Sequence, residues 1–143
     1  PTYIGTRVCS EWLYASEFKK WMEQQDWHGK CLDKDIVVPR NKLYSPDTSA
    51  FVLNATNSFV IARDASRGDY PIGVSLCKHT GKYRAHCKNL FTGKKESLGY
   101  FSTPEEAHEA WRRRKHEIAQ LVAATEADPR IVEALRNRYS LEE

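Results

Sequence analysis

Three short predicted strands separated by turns, with a strong helix start directly after them, constrain the fold of this chain most. The segments are GVSLCKH, KYRAHCK and KKESLGYF, and Thr-Gly pairs at 80–81 and 92–93 separate them. A polar residue followed by glycine between two such segments is typical of a hairpin turn. Thr103 and Pro104 then supply an N-cap and a first helical residue, and Glu106 completes a capping box. The pattern predicts a three-stranded antiparallel sheet backed by a helix.

Alternation along the middle segment assigns the two faces of this sheet. Tyr83, Ala85 and Cys87 fall on one side and suit packing against the helix. The opposite side is basic and rich in hydrogen-bonding groups. With the corresponding residues of its neighbours, its predicted members are Ser75, Cys77, His79, Arg84, His86, Lys88, Lys95 and Ser97.

Charge is distributed unevenly along the chain. Residues 1–62 carry 7 basic and 7 acidic side chains, residues 63–100 carry 8 and 3, and residues 101–143 carry 7 and 9. The net charge of +3 therefore hides a strongly basic middle part. A basic segment of this kind predicts a polyanionic partner. The four cysteines match no zinc-binding spacing, which favours free thiols.

The second half of the chain resembles the Apetala/ethylene-response-factor DNA-binding domain. The resemblance rests on GVS, TGKYRA, LGYF and TPEEAHEAW and covers about residues 71 to 115. In that family a three-stranded sheet reads the major groove of double-stranded DNA, which implies that the eight polar residues of the predicted open side contact DNA. The arginines and tryptophans of the family are largely replaced here, so its base specificity is not carried over.

Two alternatives concern the same side of the sheet. Cys77, His79 and His86 share it, which leaves a zinc site open, although no fourth ligand is apparent in the sequence. A structural or adaptor protein that uses the basic side for RNA is the other alternative.

The first 60 residues carry two aspartates within a stretch that otherwise has the composition of a buried strand. Asp33 and Asp35 lie two apart, so a strand over 31–37 places both carboxylates on one face. Carboxylates are costly to bury unless something binds them. A Pro-Arg-Asn turn at 39–41 leads to a second predicted strand at 42–45, and a helix is predicted over 50–60.

This order of strand, turn, strand and helix resembles the HNH (ββα-metal) nuclease family, in the branch that phage homing endonucleases join to an Apetala-type domain. The matching text is LDKDIVVPRNKLYSPDT, FV and the asparagine at 57, within residues 30–60. The resemblance implies a metal-dependent DNA endonuclease that hydrolyses phosphodiester bonds. It implies one Mg²⁺ or Mn²⁺ ion held by Asp33, Asp35 and Asn57. Asn41 matches the middle asparagine of the motif, which pins the connecting turn.

The chain departs from that family at the general base. The usual motif has a histidine beside its strand aspartate, whereas Lys34 stands there in this sequence. His28 is the only histidine nearby. Either Asp33 or Asp35 acts as the base, or Lys34 clamps phosphate while metal-activated water attacks, or the site is inactive. Asp33, Lys34 and Asp35 are therefore the predicted catalytic residues.

The sequence as a whole predicts an α+β chain in three parts. Residues 1–62 hold a helix at 16–25 and the ββα-metal unit, residues 63–125 hold the Apetala-like domain, and residues 126–143 hold a C-terminal helix. The function is either a homing-type endonuclease or a nuclease-inactive, sequence-specific DNA-binding protein, such as a repressor, derived from one.

The expected setting follows from the same resemblance. No apolar run approaches the ~18 residues of a membrane span, and no secretory leader is apparent, so we expect a cytoplasmic protein in the bacterial host of a phage. Double-stranded DNA is the expected partner and a membrane is not. A homodimer would suit a palindromic site, although no residue pattern specifies one.

Overall fold

The computed structural model describes residues 4–60 and 68–140 of the chain. Contacts divide the chain into two compact units, residues 1–60 and 61–143, and each combines helices with strands. The predicted α+β class is confirmed. Across the described residues, no helix is both long and apolar enough to cross a membrane.

The first unit is built around a short antiparallel pair of strands followed by a helix. Its elements are β1 (Arg7–Val8), α1 (Ala15–Glu23), β2 (Cys31–Asp33), β3 (Leu43–Tyr44), β4 (Ala50–Val52) and α2 (Asn54–Val60). β2 pairs antiparallel with β4, and β1 pairs parallel with β3. β2, β4 and α2 therefore give the unit its ββα order.

An aromatic cluster packs α1 against the strands of this unit. The rings of Trp12 and Phe18 meet edge to face with centroids 5.1 Å apart, and Trp21 stacks on Phe51 of β4 at 5.6 Å. Offset and edge-to-face ring pairs of this kind add stability beyond the area that they bury. They join α1 to the β2–β4 pair.

Two details predicted for this unit are wrong. The strand predicted over 31–37 ends at Asp33, because its carboxylate accepts the backbone N–H groups of Asp35 and Ile36 and turns the chain. The partner of β2 is β4 and not the segment at 42–45, so the first residues of the helix predicted over 50–60 form a strand instead. Ala50 and Val52 are buried in the pairing, and α2 begins only at Asn54.

The second unit is a three-stranded antiparallel sheet covered on one side by a long helix, as the sequence predicts. Its elements are β5 (Val74–Cys77), β6 (Lys82–Lys88), β7 (Lys95–Phe101), α3 (Pro104–Thr125) and α4 (Pro129–Arg138). The strand order is β5-β6-β7. The predicted N-cap of α3 is confirmed, since Thr103 Oγ1 accepts the N–H of Glu106 at 3.2 Å.

The two helices pack on each other within this unit. Ile131 and Leu135 of α4 are fully buried, and α4 contacts α3. Lys115 of α3 lies over the rings of Trp111 and Tyr139, with its Nζ 5.8 and 5.4 Å from their centroids. Burial lowers the pKa of this ammonium to about 8.

One irregularity in β7 changes which side chains face away from α3. Ala85 of β6 lies opposite Gly99, but His86 lies opposite Ser97, so Leu98 is an extra residue in β7. A bulge of this kind shifts the alternation of the strand by one position. Tyr100 is consequently exposed, although strict alternation from Ser97 would have turned it towards the helix.

Candidate functional site

The side of the β5-β6-β7 sheet that faces away from α3 carries most of the residues predicted to contact DNA. Ala85 and Cys87 of β6 are buried, whereas Arg84 and Lys88 are exposed, so the predicted alternation of β6 is confirmed. We call this surface the open face. Its residues are Ser75, Cys77, Lys82, Arg84, His86, Lys88, Lys95, Ser97 and Tyr100.

Strand pairing arranges these side chains in rows across the sheet. Arg84 in the central strand lies opposite Ser75 on one side and Tyr100 on the other, and His86 lies opposite Ser97. The Nε of Arg84 donates to the Ser97 hydroxyl at 3.3 Å. The guanidinium is thus held over the middle of the open face.

The charge of the open face comes from four basic side chains. These are Lys82, Arg84, Lys88 and Lys95. Within residues 4–60 and 68–140, none of them forms an ion pair. Glu96, the acidic residue of β7, lies on the helix side, where its carboxylate accepts from Arg114 Nε at 2.8 Å. The open face therefore carries four cations and no acidic side chain.

Two groups on the open face have shifted pKa values. Burial, together with the charges of Lys95 and Arg84, lowers the pKa of His86 and favours its neutral form. A neutral imidazole offers one hydrogen-bond donor and one acceptor. Hydrogen bonding with Thr80 lowers the pKa of the Cys77 thiol.

One predicted contact residue lies off the strands. β5 ends at Cys77, so His79 belongs to the exposed turn between β5 and β6 and not to the face of the sheet. The zinc alternative required it to stand beside Cys77 and His86. In the described part of the chain, no three His, Cys, Asp or Glu side chains are grouped so that they could hold a metal ion.

Lys82 and Tyr100 belong to the open face but were not predicted from the sequence. Lys82 has the same parity as Arg84 along β6, so simple alternation was sufficient to find it. Tyr100 could be assigned to the open face only if the bulge in β7 was known. The available signal was Gly99, because a glycine inside a strand often marks a bulge, and its φ is +116°.

In the first unit, the predicted catalytic residues form a small polar cluster. Asp33 Oδ2 accepts the N–H groups of Asp35 at 2.8 Å and Ile36 at 2.6 Å. Lys34 is only 7% exposed, and its Nζ lies 2.9 and 2.8 Å from the two carboxylate oxygens of Asp35. The same Nζ lies 5.8 Å from the centroid of the Tyr44 ring.

Lys34 is an ammonium in this setting. Burial pulls its pKa down, but the hydrogen bond and charge of Asp35, with the charges of Tyr44 and Asp33, outweigh burial, so the pKa is raised above its usual value. A protonated lysine cannot accept a proton from water. Lys34 is therefore not suited to act as a general base.

The two asparagines of the motif have different surroundings. Asn41 Nδ2 donates to the carbonyls of Lys34 at 3.0 Å and Leu43 at 2.6 Å, and its Oδ1 accepts the Leu43 N–H. Its predicted role in pinning the turn is confirmed. Asn57 of α2 donates to the Cys31 sulfur at 3.7 Å, and its buried Oδ1 accepts no hydrogen bond within the described residues.

The three predicted metal ligands have other partners in this structure. The Asn57 Oδ1 is an unused acceptor, as a metal ligand would be, but its amide lies against Cys31. Asp35 is bonded through both carboxylate oxygens to Lys34, and Asp33 uses one oxygen to hold the turn. A divalent ion bound by all three residues does not fit this arrangement. Binding of Mg²⁺ or Mn²⁺ stays a prediction.

Comparison with known proteins does not assign this chain to a family. No family model, no curated protein and no solved structure matches the chain.

Proposed function

We propose that this chain binds double-stranded DNA through the open face. The observation that carries the proposal is the set of four open-face cations that form no ion pair in the described ranges. The strands of the sheet are spaced about 4.8 Å apart. The major groove of B-DNA is about 12 Å wide and admits a two-stranded ribbon, so two neighbouring strands of the open face fit it side by side. Its phosphates would then neutralise the cations.

A pair of lysines gives this proposal further support. Lys88 and Lys95 lie directly opposite each other on β6 and β7. Like charges at directly opposed positions destabilise a sheet. A phosphate placed between the two ammonium groups would turn this repulsion into attraction. The uncharged open-face residues, among them His86 and Ser97, are left to hydrogen-bond base edges.

Of the two functions that the resemblance leaves open, DNA binding without hydrolysis is the one that we propose. Lys34 stands where the nuclease family has its histidine, and its ammonium is bonded to Asp35. Asp33 is engaged in a turn. The resemblance to phage proteins suggests the cytoplasm of a bacterial host as the place of action. Sedimentation of the protein with a palindromic duplex would test for a homodimer.

The salt dependence of DNA binding tests the open face. We expect Arg84→Ala and Lys88→Ala to weaken binding to a duplex. Each should also reduce the slope of log K against log salt by about 0.9 for every phosphate that the variant no longer neutralises. Binding of a fluorescent duplex, measured by anisotropy across a salt series, gives this slope.

A variant on the other side of the sheet provides the matched control. Arg113 of α3 is exposed and is paired only loosely, at 3.8 Å, with Glu109. Arg113→Ala removes the same charge but should leave the slope unchanged. Equal losses in Arg84→Ala and Arg113→Ala would show that binding follows net charge alone, and the open face would lose its special role.

Incubation with plasmid DNA tests for hydrolysis. We expect supercoiled plasmid to persist in Mg²⁺ and in Mn²⁺ as it does in EDTA. Gel electrophoresis after prolonged incubation provides the measurement. Nicked or linear products that require the metal and disappear in Asp35→Asn would establish the nuclease function instead.

A further inference from the structure

Lys34 and its two neighbouring aspartates form a charge cluster in which the Lys34 ammonium is the cation. The Lys34 side chain is 9% exposed, whereas the Asp35 side chain is 45% exposed. A buried ammonium is costly unless it is paired and hydrogen-bonded. Asp35 meets this need, with Nζ–O distances of 2.9 and 2.8 Å.

The backbone around the cluster is fixed by side chains on both sides. Asp33 binds the N–H groups of Asp35 and Ile36, and Asn41 binds the carbonyl of Lys34. Ile36, only 1% exposed, anchors the end of this turn in the core. The backbone at Lys34 is therefore held in place, and the Lys34 side chain reaches Asp35 from this fixed position.

A divalent ion at these carboxylates would have to compete with that ammonium. Both oxygens of Asp35 already accept from Lys34, so an ion would have to share them with the ammonium. An ion bound at Asp35 would lie next to the positive charge of Lys34 and would be repelled by it. Displacement would leave the ammonium buried without its hydrogen-bond partner.

We propose that the Lys34 ammonium is the resident cation of the Asp33–Asp35 cluster and takes the place that the resemblance assigns to a divalent ion. Binding of DNA by the open face is not needed for this inference. The first unit should fold equally well with and without divalent ions. Removal of the Lys34 charge should create a site for one, because two carboxylates then remain together without a cation.

Binding of Mn²⁺ to the full chain, followed by the decrease in the electron paramagnetic resonance signal of the free ion, tests this inference. We expect the wild-type protein to leave the signal of millimolar Mn²⁺ unchanged, and its melting temperature to be the same in Mn²⁺ and in EDTA. Lys34→Met keeps much of the buried stem but removes the charge. This variant should take up one Mn²⁺ ion and gain several degrees in melting temperature when the ion is added.

Lys30→Met is the matched control. Lys30 is also largely covered, with its side chain 17% exposed, and its Nζ lies 2.9 Å from Asp26, a single carboxylate. That variant should not acquire Mn²⁺ binding. Uptake of Mn²⁺ by the wild-type protein that disappears in Asp35→Asn would overturn the inference, and this measurement holds even if Lys34→Met does not fold. A folded Lys34→Met that takes up no Mn²⁺ would overturn it as well.

Discussion

Gly73 is the glycine of the second unit with the least room for a side chain in the described structure. Its φ is +81°, and a Cβ built there would lie 2.1 Å from Cδ1 and 2.3 Å from Cγ of the Trp111 ring. Any side chain would therefore strain the backbone and drive the indole out of its place over the sheet. The start of β5 and the middle of α3 approach each other this closely only because residue 73 is glycine.

We expect Gly73→Ala to destabilise the second unit by about 2–5 kcal/mol, since a left-handed backbone costs alanine about 1–2 kcal/mol and overpacking adds a further 1–3 kcal/mol. Gly81→Ala is the control, because Gly81 has a φ of +69° but no atom within 4 Å of the position that a Cβ would occupy. It should show the backbone cost alone. Urea unfolding followed by tryptophan fluorescence measures both, and equal losses would contradict the role of Trp111.

At the scale of the element, the bulge in β7 decides which tyrosine faces solvent. Tyr100 is 52% exposed and lies opposite Arg84 on the open face. Tyr83 is half-buried on the other side of the sheet, where its ring meets that of Tyr70 at 5.3 Å. Two tyrosines in neighbouring strands thus have opposite roles.

Replacing each tyrosine by alanine separates these roles. Tyr100→Ala should weaken DNA binding by about 1 kcal/mol or more, as removal of an aromatic side chain does in other interfaces, with little change in melting temperature. Tyr83→Ala should instead lower the free energy of unfolding by about 2 kcal/mol, because it empties packed space beneath the sheet. Calorimetry and anisotropy on both variants measure the two effects. A stable Tyr83→Ala that no longer binds DNA would mean that the faces are inverted.

Elements held by local signals were predictable from the sequence, and those held by distant contacts were not. The turns around β6 and the cap at Thr103 involve residues close in sequence, so β5, β6, β7 and α3 were found. The pairing of β2 with β4 joins residues that are distant in sequence, such as Cys31 and Val52, and nothing local distinguishes β4 from β3 as the partner. An aspartate at position 33 is compatible with a metal ligand or with a hydrogen-bond acceptor in a turn. In the structure its carboxylate accepts the N–H groups of the turn, which the sequence alone did not indicate.

The candidate site shows the same division. Alternation along β6 placed Arg84, His86 and Lys88 on one face, and the structure confirms this placement. Tyr100 was missed because one extra residue in β7 reverses the parity of the strand. The ion pair of Lys34 with Asp35 was not foreseen either, since neighbouring residues of a regular strand point to opposite faces. The strand ends at Asp33, so that rule no longer applies to the pair.

At the scale of the whole molecule, the two sides of the second unit differ in charge balance. The open face presents four cations and no acidic residue, whereas on the helix side the acidic residues of α3 and Glu96 stand among basic ones: Arg112, Arg113, Arg114 and Lys115. A field of this polarity orients a protein as it approaches a polyanion. Glu96 lies opposite the buried Cys87, so its carboxylate is on the helix side, where its ion pair with Arg114 neutralises it.

The stability of the molecule in acid should depend on that ion pair. Hydrogen bonds from Arg114 and Asn89 hold the pKa of Glu96 at about 2, below its ordinary 4.5. Because the folded pKa is lowered, the stabilisation is fully present above about pH 4.5 and is lost as the pH falls towards 2. Glu96→Gln should therefore be less stable than the wild-type protein at pH 7, and the two should converge near pH 2.

Glu133→Gln is the control for this comparison. Glu133 is exposed on α4 and forms no ion pair within the described residues. Its replacement should give a stability curve parallel to that of the wild-type protein from pH 7 to pH 2. Thermal unfolding at half-unit steps of pH measures all three proteins. A constant difference between wild type and Glu96→Gln across this range would mean that Glu96 acts through its shape and not its charge, because only the contribution of an ionised carboxylate disappears on protonation.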